Sequence, residues 1–449
     1  MATVANPLFY QTRDALPTVQ HAEGVWLTDE DGERWLDGCS GAITVNVGHG
    51  HPKVLAALED QARRVTFAYR TQFENRPAID LANALVAQLS AGLDRIFFVS
   101  GGSEAIETSY KLARSYHAAR GDTDRYRIVS RFPSYHGSTL GALATTGYRP
   151  LTEGYAPMMV EPNHVSAPFC YRCPFGLTYP SCGLACAEDF ERAVQALDPS
   201  TVAAFVIEPI GGASTGAIVP PPGYFEVVHR VACEHGILVI YDEVMTGAGR
   251  TGAFCAYQHW EGEAVPDVLA LSKGLGSGYA PLGAVACRDR VAETVLDAGS
   301  FPHGFTYAGN PLACAVGLAV LNVLEEENLI ERAARVGSEL GWRLQELATR
   351  HPTIGDVRGM GMLWGLEFVH DRATRAPFDL DRNVAQRVTL AAARERLLVY
   401  PRRGGGGLSG DHVLIAPPLT IEESEIDQLI QRLDRALAAV EGDLTGAAA

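Results

Sequence analysis

The hydrophobic positions of the chain switch between strand-like and helical spacing from about residue 78 onward. Short apolar runs bounded by turn residues are typical of strands that are buried on both faces. Such runs occur at Arg95–Ser100, Arg127–Ser130, Ala203–Glu208, Ile237–Asp242, Val268–Leu271 and Gly283–Cys287. Segments with helical periodicity lie between them, including Ile79–Leu89 and Glu104–Ala119. This alternation predicts an α/β fold whose core is a mostly parallel sheet.

The two ends of the chain carry different patterns. Turn residues at Glu30–Gly32 separate short β-type runs and predict a small N-terminal meander, which a helix over Pro52–Val65 follows. Near the other end, Thr420 and Glu423 form a capping-box pattern before a final amphipathic helix. Further strands are predicted over Met362–Phe368 and His412–Ala416.

Composition excludes several classes of protein. Hydrophobic residues make up 47% of the 449 positions and charged residues 20%, which is ordinary for a globular protein. The sequence contains neither a long apolar run nor a basic patch followed by an apolar stretch, so we expect no membrane span and no secretory signal, and a cytoplasmic location. A net charge of −16 disfavours nucleic acid and anionic lipid as partners.

A glycine-containing segment joins the first predicted strand of this core to the next helix. Its sequence, Ser100-Gly101-Gly102-Ser103-Glu104-Ala105, places free backbone N–H groups at a helix N-terminus, where the helix dipole favours an anion such as phosphate. Glycine also lets a ligand approach the backbone closely. The same string is compatible with an ordinary strand-to-helix turn.

Three further side chains follow predicted strands of the same sheet. Asp242 ends its strand at the edge where open α/β sheets bind ligands, and it could pair with a pyridinium nitrogen or cap a helix. Lys273 lies just after another strand; it could form a Schiff base in a dry pocket or could simply be solvated. Tyr135, in Tyr135-His136-Gly137, could stack on a flat cofactor or pack within a turn.

The order of these features and the strings around them resemble the class III aminotransferases, which are fold type I enzymes that depend on pyridoxal 5'-phosphate (PLP). The similarity extends from about residue 20 to residue 440, and the ω-amino acid and amine transaminases have the most similar texture. The matching strings are SGGSEA (100–105), YHG (135–137), EPI (208–210), DEVMTGAGRTG (242–252), LSKGLGSGYAPLGAV (271–285), HGFTYAGNP (303–311) and RGMGMLWGLEF (358–368).

The resemblance implies a fold type I architecture. A large PLP-binding domain with a mostly parallel central sheet would span residues 66–325, and residues 1–65 and 326–449 would form a small α+β domain from both chain ends. The resemblance also implies a homodimer with shared active sites, alone or as half of a tetramer. The implied reaction transfers an amino group from an amine or ω-amino acid to a keto acid, expected to be pyruvate, by a ping-pong mechanism.

The resemblance assigns the chemistry to two residues. Lys273 would bond to the cofactor and then carry the proton between the substrate carbon and the cofactor. Asp242 would bind the ring nitrogen. Val244 and Tyr135 would pack on opposite faces of the ring.

The remaining cofactor contacts come from four segments. Gly102 and Ser103 would hold the phosphate, and Thr306 would reach it from the partner subunit. His136 and Glu208 would lie near the cofactor. Racemisation, amino-group migration and decarboxylation share most of these motifs and stay open as alternatives, whereas an inactive, binding-only relative is disfavoured because the lysine and the acid are both present.

The chain departs from its relatives on the substrate side. Ile415 stands where relatives that act on α- or γ-amino acids often carry an arginine, so a fixed carboxylate clamp is missing at that position. Arg402 and Arg403 fall where amine transaminases carry a mobile arginine, so we expect one of them to bind carboxylates; the alternative is that both are solvated loop residues. Ile43–Asn46 replaces a stretch that contains tryptophan in several amine transaminases, and Tyr69 is a further candidate for lining the altered pocket.

Nine cysteines, an odd number, argue against a disulfide framework. Cys170, Cys173, Cys182 and Cys186 have the spacing C-x2-C-x8-C-x3-C. Four thiolates could hold zinc or an iron–sulfur cluster, although the spacing between the pairs is short for a zinc ribbon. The prolines and aromatic residues among them are equally compatible with a packed surface loop.

Overall fold

The computed structural model describes residues 8–9, 11–12, 16–260, 262, 265–404 and 410–446. Its N-terminal part contains the antiparallel strands β1 (Val19–Glu23), β2 (Trp26–Asp29) and β3 (Arg34–Asp37), a single helical turn α1 (Ser40–Ile43) and helix α2 (Pro52–Arg64). The Asp29 carboxylate accepts hydrogen bonds from the N–H groups of Asp31 (3.1 Å) and Glu33 (2.9 Å), which close the predicted turn. The expected meander and helix are both present.

The middle of the chain forms the large sheet and the helices that cover it. These elements are α3 (Arg76–Gln88), β4 (Arg95–Val99), α4 (Gly102–Ala119), β5 (Arg127–Phe132), α5 (Leu140–Ala144), α6 (Arg149–Thr152), β6 (Asn163–Ser166), α7 (Ala185–Leu197), β7 (Val202–Ile207), α8 (Tyr224–His235), β8 (Leu238–Asp242), β9 (Val268–Leu271), β10 (Gly283–Cys287), α9 (Asp289–Asp297) and α10 (Pro311–Glu326). The seven strands lie in the order β4-β10-β9-β8-β7-β5-β6, and β10 alone runs antiparallel to its neighbours. Every residue of β7, β8, β9 and β10 is buried, which explains their continuous apolar runs in the sequence.

The C-terminal part returns to the N-terminal strands. It contains α11 (Leu329–Arg350), β11 (Ile354–Met360), β12 (Leu363–Asp371), β13 (Ala376–Pro377), α12 (Val384–Arg394), β14 (Leu397–Leu398), β15 (Tyr400–Arg402), β16 (His412–Ile415) and α13 (Glu423–Gly446). Strands β11, β12, β13, β15 and β16 form a second, antiparallel sheet. Strand β14 pairs in parallel with β3, so the two chain ends share a third sheet. The domain limits at residues 65 and 325 stay a prediction.

The start of the last helix differs from the capping-box prediction, which is wrong. Helix α13 begins at Glu423, and the Glu425 carboxylate accepts the N–H of Glu422 at 2.8 Å. The hydroxyl of Thr420 is buried and has no hydrogen-bond partner among the described residues. The N–H of Leu419 donates to the carbonyl of Asn46 (2.8 Å), which holds this segment against the N-terminal part, so the helix starts later.

One arginine ties the three parts of the chain together. Arg250 is fully buried, and its guanidinium donates to the carbonyls of Pro417 (2.5 Å) and Met362 (3.3 Å), to Asn46 Oδ1 (2.5 Å) and to Ser40 Oγ (3.1 Å). Burial lowers the pKa of Arg250 to about 9. These hydrogen bonds of Arg250 hold the loop that follows β8 in place. Separately, none of the described helices combines the length and apolar character needed to cross a bilayer.

Candidate active site

The carboxyl edge of the large sheet carries a cleft, where open α/β sheets bind ligands. It is formed by the segments that follow β4, β5, β7, β8 and β9. Eight of the residues assigned by resemblance line it together, namely Gly102, Ser103, Tyr135, His136, Glu208, Asp242, Val244 and Lys273. Sequence reasoning missed four further lining residues, which are Gly137, Ile210, Met245 and Thr246.

Lys273 is presented to this cleft by a constrained backbone. Its φ of +43° lies in the left-handed region, which costs a non-glycine residue on the order of 1 kcal/mol. The next residue is locked in place, since a Cβ on Gly274 would lie 2.3 Å from Asn46 Nδ2. Burial lowers the pKa of the Lys273 amine to about 8, the negative charge of Asp242 opposes this effect, and the positive charge of Arg402 reinforces it. The amine is therefore partly neutral near pH 8, the form that attacks a carbonyl carbon.

Asp242 is a buried acid with a fixed orientation. Its Oδ2 lies 2.9 Å from His136 Nδ1, and its Oδ1 accepts the N–H of Val244 at 3.1 Å. A carboxylate accepts hydrogen bonds, so a hydrogen bond between these two side chains requires a proton on His136 Nδ1. His136 is held in turn, because its backbone N–H donates to Thr146 Oγ1 at 2.9 Å. The acid therefore faces the cleft in one defined position.

Glu208 fixes the segment that carries Tyr135, the aromatic residue predicted to stack on the cofactor. Its Oε1 accepts the N–H of Gly212 (2.9 Å) and its Oε2 accepts the N–H of Tyr135 (3.4 Å). The buried guanidinium of Arg131 donates to the carbonyl of Glu208. Burial raises the pKa of Glu208, and the nearby His136 opposes this effect. These contacts set the backbone position of Tyr135.

The N-terminus of α4 opens onto the same cleft. A Cβ on Gly102 would lie 2.8 Å from Val244 Cγ1, and a Cβ on Gly137, whose φ is +141°, would lie 2.6 Å from Ser103 Oγ. Ser103 Oγ also accepts the N–H of Ser138 at 3.0 Å. Glycine is thus needed at both positions for the segments to meet. The first N–H groups of this 18-residue helix form a suitable site for an anion.

Glu243 is a buried residue beside the cleft that sequence reasoning missed. Its carboxylate accepts the N–H groups of Ala256 (2.9 Å) and Tyr257 (2.8 Å) and the hydroxyl of Thr246. Burial raises the pKa of Glu243 to about 7. The residue fixes the loop after β8, and the adjacent acidic pair Asp242-Glu243 at a strand end was the signal that could have revealed it.

The structure separates the two candidate arginines. Arg402 lies at the end of β15, with its guanidinium 5.5 Å from the ring centroid of Tyr148 and 5.3 Å from that of Tyr400. Its Nη2 donates to Tyr400 Oη at 3.2 Å. Arg402 does not itself line the cleft, although its positive charge helps to lower the pKa of Lys273.

Arg403 is directed elsewhere. It is exposed, and its Nη2 donates to the carbonyl of Leu380 at 2.5 Å. Its carbonyl accepts the hydroxyl of Tyr148 at 3.2 Å. Ile415 is fully buried within β16 and does not line the cleft.

Tyr69 and Thr306, like Arg402 and Arg403, do not line the cleft of their own protomer. Tyr69 lines a separate cavity of about 860 Å3, together with Phe67 and Phe73. Thr306 is exposed and does not line the cleft. The role predicted for Thr306 needs a partner subunit, so this assignment stays a prediction.

The four clustered cysteines do not form a metal site in the described part of the chain. Cys170 is exposed, Cys173 and Cys182 are partly exposed, and Cys186 is buried. No three of their sulfur atoms come within 4.8 Å of one another. Zinc–sulfur bonds of about 2.3 Å require closer thiolates than this. The zinc or iron–sulfur hypothesis is therefore not supported, and the arrangement agrees with a packed surface loop.

The chain matches the family model described as Aminotransferase class-III over residues 10–437. It is 39% identical to the uncharacterized aminotransferase YodT of Bacillus subtilis, covering 96% of this chain and 97% of that relative. It is 36% identical to the putrescine–pyruvate aminotransferase of Pseudomonas aeruginosa, covering 94% of this chain and 91% of that relative. Its fold matches the PLP-bound amine transaminase of an uncultivated Pseudomonas species with a TM-score of 0.89 and 33% identity, covering 98% of this chain and 99% of that chain.

These similarities cover nearly the whole length of the chain, and the residues that line the cleft agree with them. The mixed sheet with a single antiparallel strand and the sheet shared by both chain ends are the fold type I architecture that the resemblance implied. The protein therefore belongs to the class III aminotransferase family.

Proposed function

We propose that this protein binds PLP at Lys273 and transfers an amino group from an amine or ω-amino acid to a keto acid, with pyruvate as the acceptor, by a ping-pong mechanism. One observation carries the proposal. A buried lysine amine with its pKa lowered to about 8 shares a cleft with a fixed acid, Asp242, and with the N-terminus of a long helix. The similar enzyme of Pseudomonas aeruginosa, named for putrescine and pyruvate, supports the choice of substrates.

The residues of the cleft fit PLP in several respects. The N–H groups at Gly102 and Ser103 would hold the phosphate, and Asp242 would hold the ring nitrogen. Tyr135 and Val244 would contact the two ring faces. When bound, PLP supplies an electron-withdrawing ring that stabilises negative charge on the reacting carbon of the substrate.

Proton transfer is carried out by a residue of the chain itself. Lys273 Nζ accepts the proton from the substrate carbon as a neutral amine and returns a proton as an ammonium group. A pKa of about 8 keeps both forms populated near neutral pH. Asp242 is oriented towards the cleft by His136 Nδ1 at 2.9 Å from its Oδ2 and by the N–H of Val244, which donates to its Oδ1 at 3.1 Å.

We also propose that the active enzyme is a dimer. Thr306 is exposed beside Tyr307, whose ring packs edge-on against Phe67 at a centroid distance of 6.1 Å. These rings and Phe73 form an exposed aromatic patch, and such patches mark protein interfaces. A second protomer seated on the patch would cover it and would offer Thr306 to the partner's phosphate site. Light scattering of the purified protein tests this arrangement, and a monomer with full activity would contradict it.

The test of the catalytic proposal is a comparison of the wild type with Lys273→Ala. The wild type with PLP is expected to show a visible absorbance band and to consume one equivalent of keto acid per amine in a panel of donors with pyruvate and 2-oxoglutarate. Lys273→Ala should lose the band and at least about 10³-fold in rate, because the amine that bonds to the cofactor and carries the proton is removed.

An exposed lysine provides the matched control. Lys111→Ala, on the surface of α4, should keep both the band and the rate. A band that survives unchanged in Lys273→Ala would refute the proposal. Turnover of an amine without consumption of keto acid would favour racemisation, amino-group migration or decarboxylation instead.

A further inference from the structure

We propose that a cavity at the amino edge of the large sheet, where its parallel strands begin, is a second ligand site that binds a phosphate dianion, free or as the head of a small phosphate ester. This amino-edge cavity has a volume of about 490 Å3, within the range of about 300–1,000 Å3 that is usual for small-molecule sites. Its charged lining consists of four arginines and two aspartates, namely Arg120, Arg125, Arg288, Arg290, Asp122 and Asp267.

The amino-edge cavity and the catalytic cleft lie at opposite ends of the same strands. Leu238 and Val239, at the start of β8, line the cavity, whereas Asp242, at the end of β8, lines the cleft. Asp267 directly precedes β9, and Lys273 follows the other end of that strand. No described residue lines both spaces. A cofactor in the cleft would therefore leave the cavity free for a second ligand.

Two guanidinium groups converge on one neutral oxygen in this cavity. The hydroxyl of Tyr116 accepts Arg120 Nη1 at 2.9 Å and Arg290 Nη1 at 3.0 Å. The guanidinium carbons of the same two arginines lie 5.4 and 5.8 Å from the centroid of the Tyr116 ring. Two like charges held this close repel each other, and an anion bound beside both would offset the repulsion.

The carboxylates of the lining do not offset all of the positive charge. Asp267 Oδ1 is shared between Arg288 Nε, at 3.3 Å, and Arg290 Nη2. Asp122 Oδ2 lies 3.7 Å from Arg120 Nε, and both of these side chains are about half exposed. Two carboxylates thus serve three guanidinium groups of the lining, and one of the two pairings is loose and solvated.

The fourth guanidinium group, that of Arg125, pairs with no acid among the described residues. Its Nη1 and Nη2 donate to the carbonyls of Val202 and His235, each at 2.8 Å. A carbonyl oxygen carries only a partial negative charge, whereas a phosphate oxygen forms a charge-assisted hydrogen bond with arginine. The lining therefore keeps a surplus of positive charge on a chain whose net charge is −16.

The two histidines of the lining do not add to this charge. Burial lowers the pKa of His117, which is 1% exposed, and burial lowers the pKa of His229 to about 4. His117 Nε2 lies 2.8 Å from the carbonyl of Ala203, so this nitrogen carries the proton and Nδ1 is an acceptor. Nδ1 is buried without a hydrogen-bond partner among the described residues, and a hydroxyl group of the ligand would satisfy it.

Phosphate is the anion that matches this lining. A phosphate ester carries a charge of about −1.5 to −2 near pH 7, which balances four guanidinium groups against two carboxylates. The planar guanidinium group also suits two oxygens of one phosphate. Apolar side chains, among them Ile237 and Val265, line another part of the cavity and would contact the organic part of an ester.

Equilibrium dialysis of the PLP-loaded holoenzyme against radiolabelled inorganic phosphate tests the site. We expect a single bound phosphate per protomer, with PLP occupying the phosphate position of the cleft. Competition by glycerol 3-phosphate then separates the two sources of the ligand. Displacement of the label at least about tenfold more tightly than by unlabelled phosphate would identify a site for esters, and equal or weaker competition a site for free phosphate. A holoenzyme that binds no phosphate at millimolar concentration would overturn the proposal.

The variant Arg120→Gln/Arg290→Gln removes the two convergent charges. It should bind phosphate at least about 100-fold more weakly, because each charge-assisted hydrogen bond contributes about tenfold or more. The control Arg192→Gln/Arg387→Gln removes two exposed charges from α7 and α12 and should stay within about twofold of the wild type. Phosphate should raise the melting temperature of the wild type and the control but not of the first variant, since it would stabilise only a folded chain that binds it.

The variants also decide where the phosphate binds. Unchanged phosphate binding in a folded Arg120→Gln/Arg290→Gln variant would overturn the proposal, because the anion would then lie elsewhere. Should this variant fail to fold, Arg120→Gln alone decides, since Arg120 is exposed, and binding should still weaken at least about tenfold. Dialysis measures binding without turnover, so the result is separate from that of the aminotransferase proposal.

Discussion

The cofactor side and the substrate side of the cleft differ in how their charged groups are held. On the cofactor side, Asp242 has two hydrogen-bond donors and Glu208 has two, all provided by the protein. Arg402, which is predicted to meet the substrate, has aromatic rings and one hydroxyl but no opposite charge among the described residues. A group that meets a constant ligand can be fully satisfied in advance, whereas a group that meets changing substrates must keep its charge available.

The largest expected effect beyond the loss of Lys273 concerns the cofactor side. Asp242→Asn should lower kcat by about 10²–10³-fold with a small change in KM, because the negative charge that would face the ring nitrogen is removed while the shape is kept. Steady-state kinetics and the absorbance spectrum measure this effect. Asp297→Asn, an exposed acid on α9, is the matched control. A loss below about threefold would show that the anion is not needed, against the scale expected for such charges.

The next largest expected effect is on the KM for the keto acid in variants of the two candidate arginines. Arg402→Ala should raise KM for pyruvate by about 10–100-fold, because a hydrogen bond between charged groups contributes about 1.5–3 kcal/mol. Arg403→Ala should leave KM within about twofold, since its guanidinium is exposed and bound to the carbonyl of Leu380. If the two variants behaved in the opposite way, the two arginines would have exchanged roles and the electrostatic assignment of Arg402 would be wrong.

The smallest expected effect is on the pH dependence of PLP capture by Lys273, which the charge of Arg402 influences. The rate of PLP capture by the apoprotein should rise about ninefold between pH 7 and pH 9, because the neutral fraction of an amine with a pKa of about 8 rises from about a tenth to about nine tenths. In the Arg402→Ala variant, the pH profile of the capture rate should move to higher pH, because the positive charge that helps to lower the pKa of Lys273 is removed. Stopped-flow absorbance follows the reaction, and a flat profile would contradict the lowered pKa.

The free energy of unfolding of the apoprotein should also depend on pH through the protonation of Lys273. The pKa of Lys273 is lower in the folded than in the unfolded chain, so the unfolded chain binds more protons above about pH 8. Stability from this lysine therefore rises with pH above that point, up to the ordinary lysine value of about 10.4. Denaturant unfolding of Lys273→Met should lack this rise.

Much of the cofactor side was predictable because its residues follow strands. Continuous apolar runs marked β7, β8, β9 and β10, and in a parallel sheet the ends of such strands must meet at one edge. Asp242, Lys273 and the glycine turn at the start of α4 were therefore predictable neighbours. The capping box at Thr420 failed because another local pair is used: the N–H of Glu422 donates to the Glu425 carboxylate, while the N–H of the preceding Leu419 donates to the distant carbonyl of Asn46.

The sequence by itself determined the family and the sheet, since these depend on local periodicity and on motifs in a set order. Only the tertiary structure distinguished the surroundings of Arg402 from those of Arg403, removed support for a metal at the four cysteines and revealed Glu243 as a buried support. Those outcomes depend on which way a side chain points and on what lies beside it. Such contacts join residues as far apart as Tyr148 and Arg402, whose proximity no local pattern encodes.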